Sequence, residues 1–155
     1  MSTSDVSEQA DEGHVALRPV DVIQSAVGAF NIGDIDGYLR FFEPGCRRWI
    51  VGFDEPLTIG QVGDSLRELA AVFAPLHLGA DALFGDDRSA CARWRLRGMH
   101  VVNYAGITAK GSQVDVEQCE IYEVVNGLVV ESWVYVDPAE LFRQMESSPK
   151  GEPPR

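Results

Sequence analysis

The side chain best suited to proton transfer is His100, in the second half of the chain. His100 follows Ala90, Ala92, Trp94 and Leu96 at every second position, so the alternation predicts a strand whose apolar face carries the imidazole. A neutral imidazole in an apolar pocket can relay protons near neutral pH. The alternative interpretation of His100 is a core histidine that hydrogen-bonds to a backbone carbonyl.

Three carboxylates are further candidates for proton transfer. Asp137 precedes Pro138 and Glu140, a pattern typical of a helix N-cap with proline at the first helical position. Glu120 and Glu123 lie on opposite faces of a predicted strand, and either could supply a second carboxylate. For both glutamates the alternative is a solvated strand face.

Amphipathic aromatic residues could hold a flat, multi-ring ligand and also offer it a polar group. Glu131, Trp133, Tyr135 and Asp137 alternate along one strand, so Trp133 and Tyr135 should line the pocket if Asp137 reaches it. Core packing is the alternative role of each ring. The candidate substrate-binding residues are Tyr38, Trp49, Trp94, Tyr104, Tyr122, Trp133 and Tyr135.

The elements that must position these residues are helices first and strands afterwards. Apolar periodicity predicts helices over 19–30, 34–43, 62–73 and 139–145, and strands over 49–51, 78–84, 90–100, 114–125 and 128–136. Asn126-Gly127 is typical of a type I′ hairpin turn. This order predicts one α+β domain in which helices cover one face of an antiparallel sheet.

The outer face of the predicted strand 90–100 carries Arg93, Arg95 and Arg97. We expect these arginines to pair with Asp115 and Glu117 on the next strand. This pattern indicates a solvated or dimer-interface face.

Composition excludes several classes of function. A formal charge of -11 disfavours binding to nucleic acids and to anionic membrane surfaces. No apolar stretch approaches the roughly 20 residues of a membrane-spanning helix, and the N-terminus lacks signal-peptide features, so we expect a cytoplasmic protein. Three widely spaced cysteines predict buried free thiols. The histidines do not cluster with cysteines or carboxylates at metal-ligand spacing, so we expect no metal and no other cofactor.

Four segments together resemble the SnoaL-like polyketide cyclases: 98–114, with Gly98-Met-His100 and Gly111-Ser-Gln-Val114; Glu120-Ile-Tyr122; Asn126-Gly127; and Glu131-Ser-Trp133-Val-Tyr-Val-Asp137. The likeness extends over about 19–145. It implies the nuclear transport factor 2-like fold, a cone-shaped curved sheet wrapped over N-terminal helices with a deep pocket, and a homodimer formed through the sheet. We expect a domain over 18–146, with disordered tails at 1–17 and 147–155.

The resemblance also implies roles for individual residues. His100 coincides with the family histidine, Asp137 with a general acid/base, and Glu120 with a strand aspartate. Ser132 stands where the family has a histidine, which indicates a different substrate more than a different fold.

These roles predict a cofactor-independent cyclase or isomerase that acts on a hydrophobic, polyketide-like natural product by proton transfer. Three alternatives remain open: an enzyme that opens an epoxide to form a cyclic ether, a proton shuttle on a fused-ring ketone, and a binding protein without catalysis.

Overall fold

The computed structural model describes residues 17–149. Residues 1–16 and 150–155, which make up most of the two predicted tails at 1–17 and 147–155, lie outside the described residues. In chain order the elements are α1 Pro19–Asn31, α2 Ile35–Leu39, β1 Phe42–Ile50, β2 Leu57–Thr58, α3 Ile59–Val72, β3 His77–Gly85, β4 Ser89–Met99, β5 Gln113–Val125, β6 Leu128–Val136 and α4 Pro138–Glu146.

The six strands form one curved, unclosed sheet in the order β2-β1-β6-β5-β4-β3. The predicted α+β class, with helices against one face of a curved sheet, is confirmed. One pairing differs from the antiparallel expectation, because β1 runs parallel to β6. The chain reaches β6 from β1 through β2, α3 and three further strands, a connection long enough for a parallel pair.

Helix α1 covers the concave face of the sheet with its predicted apolar stripe. Val22, Ile23, Ala26 and Phe30 are all buried. Asn31 ends the helix and binds β3 twice: its amide donates to the Leu78 carbonyl at 2.9 Å and accepts from the Leu78 N–H at 2.8 Å. Asn31 therefore both ends α1 and fixes it to the sheet.

Helix α3 begins three residues earlier than the apolar periodicity predicts. Thr58 and Gln61 form a capping box, in which each side chain accepts a hydrogen bond from the other residue's backbone N–H. This reciprocal capping satisfies two backbone donors and starts the helix at Ile59.

Strand β4 has the predicted two faces. Ala90, Ala92 and Trp94 are buried against the helices. On the outer face Arg93 pairs with Glu117, and Arg95 and Arg97 pair with Asp115, at N–O distances of 3.2 to 3.6 Å. The cationic stripe is therefore matched by acids on β5, as the sequence predicts.

The side chains of β6 that point to the inner side of the sheet are not the ones that alternation predicted. Glu123 pairs with Glu131 but Val124 pairs with Val129, so the hairpin contains a bulge with one extra residue on β6. Because side chains alternate along a strand, that residue reverses every later side chain. Ser132 and Val134 therefore face inward, and Trp133 and Tyr135 face outward.

The three cysteines are free thiols. Cys46 is buried as expected, but the expectation of burial is wrong for Cys91 and Cys119, which lie partly exposed on the outer face. Their sulfurs are 3.8 Å apart on neighbouring strands.

Between residues 17 and 149, no helix is long and apolar enough to cross a membrane.

Candidate functional site

A cavity of about 190 Å³ lies between α3 and the inner face of the sheet. Helices α1 and α2 close one side through Phe30 and Tyr38. Most of the wall is aliphatic, and its members include Leu57, Val62, Leu66, Leu69, Leu96 and Val134. The cavity is therefore a mainly apolar space bounded by the helices and the curved sheet.

An ion pair lies in the wall of this cavity. Arg48 of β1 donates to Glu120 Oε2 of β5, with an N–O distance of 3.1 Å. Both side chains line the cavity and are almost withdrawn from solvent, at 12% and 1% exposure. A second Arg48 nitrogen lies 3.3 Å from the Tyr38 hydroxyl, which also lines the cavity.

A hydrogen-bond chain behind the wall holds the same carboxylate oxygen. The Trp94 indole N–H donates to the Tyr122 hydroxyl at 3.0 Å, and that hydroxyl donates to Glu120 Oε2 at 2.8 Å. Oε2 therefore accepts from both Tyr122 and Arg48. Two donors from different strands fix the orientation of the carboxylate.

The other carboxylate oxygen, Glu120 Oε1, is buried and has no hydrogen-bond partner within the described part of the chain. The Ser132 hydroxyl is also buried and makes no hydrogen bond of normal geometry, although its dipole is near enough to favour the charged carboxylate. A buried acceptor without a partner costs free energy unless a ligand or water satisfies it. Oε1 thus has the capacity to accept one more hydrogen bond, and it belongs to a residue that lines the cavity.

Burial raises the pKa of Glu120, because the charged carboxylate loses its hydration. The nearby Arg48 charge and the hydrogen bond from Tyr122 act in the opposite direction and offset only part of this effect. Burial also raises the pKa of Tyr38 to about 12, and that of Tyr122 well above its usual range. The two phenols therefore remain neutral donors, while Glu120 can change its protonation state more readily.

Two of the ten predicted site residues, Glu120 and Tyr38, line the cavity. Trp94 and Tyr122 lie one layer behind, where they hold Glu120 through the hydrogen-bond chain. The structure brings these four together because each is on the inner side of its element, as the alternation of β4 and β5 predicts.

His100 is completely buried but is not among the residues that line the cavity. Its ring packs beside Phe73, with 5.5 Å between the ring centroids, and neither ring nitrogen has a hydrogen-bond partner. The expected bond to a backbone carbonyl is therefore absent from the described residues. The backbone N–H of His100 donates to the Ser112 carbonyl, which fixes the end of β4.

Asp137 lies at the surface, with 64% of its side chain exposed. Its carboxylate accepts a hydrogen bond from the Ala139 N–H at 3.0 Å and caps α4. Arg143, in the last turn of the same helix, has a side-chain nitrogen 3.6 Å from the Asp137 carboxylate. This geometry matches the capping alternative that the sequence offers for Asp137.

The remaining predicted ring residues do not contact the cavity. Trp49 and Trp133 are paired neighbours on the outer face, where the Trp49 indole N–H donates to Glu131 at 2.8 Å. Tyr135 is 48% exposed on the same face because the β6 bulge reverses that strand. Tyr104 belongs to the loop after β4 and contacts Phe73 at 6.4 Å between ring centroids. The expectation that these rings surround one pocket is therefore wrong for the cavity described here.

The sequence-based prediction missed Arg48. The predicted strand began only at Trp49, so Arg48 was assigned to no face, whereas β1 in the structure begins at Phe42. A longer strand would have placed Arg48 and Ile50 together on the inner face by simple alternation. Pro44 and Gly45, which lie inside β1, obscured this signal because both residues are unusual in strands.

Comparison with known proteins gives one family and a set of solved structures. The family model "SnoaL-like polyketide cyclase" matches residues 20–145. No curated protein matches the sequence.

Among solved structures, IdmH from Streptomyces antibioticus, a proposed polyketide cyclase, superposes with a TM-score of 0.76 at 19% identity, covering 84% of this chain and all of that one. AclR from Streptomyces galilaeus, a proposed hydroxylase, has a TM-score of 0.74 at 18% identity over 80% of this chain and 92% of that one. TsrD from Streptomyces laurentii is 25% identical, with a TM-score of 0.69 over 81% and 92% of the two chains.

The first two structures show a shared fold, and the family match covers most of the chain, including both residues of the buried ion pair. The chain belongs to the SnoaL-like polyketide cyclase family.

Proposed function

We propose that this protein is a cofactor-independent cyclase or isomerase of a polyketide-like natural product, with Glu120 as the residue that moves the proton. The observation that carries the proposal is the asymmetry of Glu120. Arg48 and Tyr122 bind Oε2, whereas Oε1 of this cavity-lining residue is buried without a partner among residues 17–149. A carboxylate held by one oxygen leaves the other free for a substrate.

In this mechanism Oε1 removes a proton from an acidic C–H next to a substrate carbonyl. The resulting enolate attacks a second carbonyl carbon of the same molecule, which forms a carbon–carbon bond and leaves an alkoxide. Glu120 then returns the proton to the alkoxide, so the protein ends unchanged. The Arg48 cation and the neutral Tyr38 hydroxyl border the cavity and would stabilise the oxyanions that develop.

The raised pKa of Glu120 suits this cycle. A carboxyl group whose pKa lies nearer to working pH is a stronger base in its charged form and is more readily reprotonated. The cavity contributes by folding a flexible substrate into one reactive shape and by excluding water. His100 does not line the cavity, so its role in proton relay stays a prediction, which the substitution described in the Discussion tests.

Opening of an epoxide is the second candidate function. The same observation favours it, because a neutral Glu120 can protonate the epoxide oxygen while an internal hydroxyl oxygen attacks the epoxide carbon and closes the ring. The Glu120 carboxylate formed in that step then takes the proton that the attacking hydroxyl loses, so the protein ends unchanged. The two reactions differ in what accumulates when Glu120 is replaced: an open-chain carbonyl compound for cyclisation, or an epoxide for ring opening. A binding protein without catalysis, the third alternative, predicts that neither compound accumulates.

The decisive experiment compares Glu120→Gln with Glu117→Gln. Both substitutions remove a carboxylate from β5, but Glu117 lies on the outer face, with about half of its side chain exposed. Purified proteins are incubated with linear and partly cyclised poly-β-ketones and with epoxy alcohols, and the products are identified by mass spectrometry. We expect Glu120→Gln to lower kcat by about 100-fold or more and Glu117→Gln to leave kcat unchanged. Equal turnover by wild type and Glu120→Gln would exclude Glu120 as the proton carrier.

We propose further that two copies associate through the outer face of the sheet. A row of apolar side chains crosses five strands in register there: Trp49, Trp133, Ile121, Cys91 and Phe84. We call it the outer apolar row. Phe84 is 63% exposed and Ile121 is 36% exposed. A continuous apolar row of this kind is typical of an interaction surface rather than of a solvated one.

A further inference from the structure

The side chains around the cavity are mostly aliphatic. Of the sixteen residues in its lining, ten are leucine, isoleucine or valine, and the aromatic members are Phe30 and Tyr38. The Tyr38 ring already packs against Phe30 and Phe42, with centroid distances of 5.6 and 4.9 Å. The cavity therefore offers methyl groups, and a planar aromatic ligand would find no pair of ring faces to lie between.

The size of the cavity limits what it can hold. An apolar cavity of about 150 Å³ in another protein binds benzene. By proportion, the cavity of about 190 Å³ described here accommodates roughly eight non-hydrogen atoms. That is one substituted ring, far smaller than a planar system of three or four fused rings.

The polar groups of the cavity favour a neutral ligand. Arg48 and Glu120 balance each other's charge, and the pair is almost inaccessible to solvent. An added carboxylate would bring a second negative charge beside Glu120, where little water is present to screen it. A hydroxyl or enol group on the ligand can instead donate to Glu120 Oε1, which has no partner.

We propose that the part of the substrate that enters this cavity is a neutral, non-planar alicyclic or branched aliphatic group of about eight non-hydrogen atoms with one hydroxyl or enol. The proposal rests on the proposed function only in taking this cavity as the substrate site. It separates this protein from enzymes that surround flat, polycyclic aromatic substrates. The ring that closes is therefore a small carbocycle or oxygen heterocycle, and any larger remainder of the substrate stays outside the cavity.

A matched ligand panel tests the proposal. The first pair is trans-4-methylcyclohexanol and 4-methylphenol, which have the same number and kind of non-hydrogen atoms but differ in planarity. The third probe is 4-methylcyclohexanecarboxylate, which adds the negative charge, and the fourth is 1-hydroxyanthraquinone, which has three fused rings. Binding is measured by NMR shifts of the methyl groups of Leu66, Leu69 and Val134, which line the cavity.

We expect trans-4-methylcyclohexanol to bind about tenfold more tightly than 4-methylphenol, with neither of the other probes shifting the three methyl signals. Leu66→Phe, which fills part of the cavity, should weaken this binding. Val101→Phe should not, because Val101 is an exposed residue outside the lining. A folded Leu66→Phe protein is verified by its unchanged amide spectrum, and Ser65→Leu provides a second, smaller obstruction in the same wall.

Tighter binding of 4-methylphenol, of the carboxylate or of the anthraquinone would overturn the proposal. Such a result would leave the role of Glu120 intact, because the loss of turnover in Glu120→Gln does not depend on ligand shape. Conversely, alicyclic binding with full turnover by Glu120→Gln would retain this proposal and overturn the proposed function.

Discussion

At the scale of single residues, the central feature is a charged pair that the fold removes from water. Arg48 and Glu120 come from different strands, and each has a second partner, Tyr38 and Tyr122 respectively. Removing two charges from water is costly, and their mutual attraction recovers that cost only when the remaining hydrogen bonds are made. One carboxylate oxygen stays unpartnered, so the pair is not arranged for stability alone. The carboxylate oxygen without a partner indicates that the pair takes part in binding a ligand.

The same reasoning predicts a strongly non-additive effect on folding stability. Arg48→Met leaves Glu120 as a buried, unpaired charge and should lower the free energy of unfolding by about 3 to 5 kcal/mol. Glu120→Leu should leave Arg48 as a buried, unpaired charge and lower the free energy of unfolding by a similar amount. The double variant should be clearly more stable than the sum of the two losses implies, as measured by urea unfolding. Additive losses would mean that the two side chains do not interact.

Glu120 should also make stability depend on pH. Its pKa in the folded state is raised above the ordinary value of 4.5, so the folded protein binds this proton more tightly than the unfolded chain does. Stability should therefore fall as the pH rises from 4.5 through the raised folded value. The test subtracts the unfolding free energy of Glu120→Gln from that of wild type at each pH. A difference that grows more favourable to wild type with rising pH would contradict the prediction.

His100 offers a second prediction at this scale. Both ring nitrogens are buried without a partner, so His100→Leu removes two unsatisfied polar atoms and should raise stability by about 1 kcal/mol. Thermal unfolding measures this effect. Turnover per folded molecule decides the proposed relay role: a loss of turnover in a stabilised protein would support it, and retained turnover would make His100 a packing residue.

At the scale of elements, the sequence predicted the number and order of the long strands well because their alternation is strong. The strands 114–125 and 128–136 agree with β5 and β6 to within one residue. The failures have local causes. The bulge in the β5-β6 hairpin is invisible to alternation, and it moved Trp133 and Tyr135 out of the expected pocket. Pro44 and Gly45 hid the part of β1 that precedes Trp49, which includes Arg48.

Helix α4 gives a prediction at the element scale. Asp137 caps this helix through the Ala139 N–H, so Asp137→Ala should lower the free energy of unfolding by about 1 kcal/mol, and Asp137→Ser should restore most of it. The measurement is urea unfolding of the three proteins. A loss of turnover that serine does not restore would give Asp137 the proton-transfer role that its family position implies.

At the scale of the whole molecule, the sheet separates the two proposed functions. Its inner face carries the cavity and the ion pair, and its outer face carries the outer apolar row and the matched charges beside it. Sequence alternation predicted the outer arginines of β4 and their acidic partners on β5, but it left open whether Glu120 or Glu123 supplies the second carboxylate, and the family resemblance singled out Glu120. It could not predict the cavity lining, because that lining combines side chains from helices and strands far apart in the chain.

This division leads to a prediction about association. If two copies meet through the outer apolar row, Cys91 should be protected within the dimer, because it belongs to that row, and its neighbour Cys119 should be protected with it. Trp133→Arg places a charge in the row and should give a monomer in sedimentation experiments. In that monomer both thiols should react readily with a disulfide reagent, whereas the buried Cys46 should stay unreactive. Glu117→Arg, which changes charge beside the row but not within it, is the control. A wild-type protein that sediments as a monomer, with Cys91 and Cys119 already reactive, would show that the row remains open to solvent.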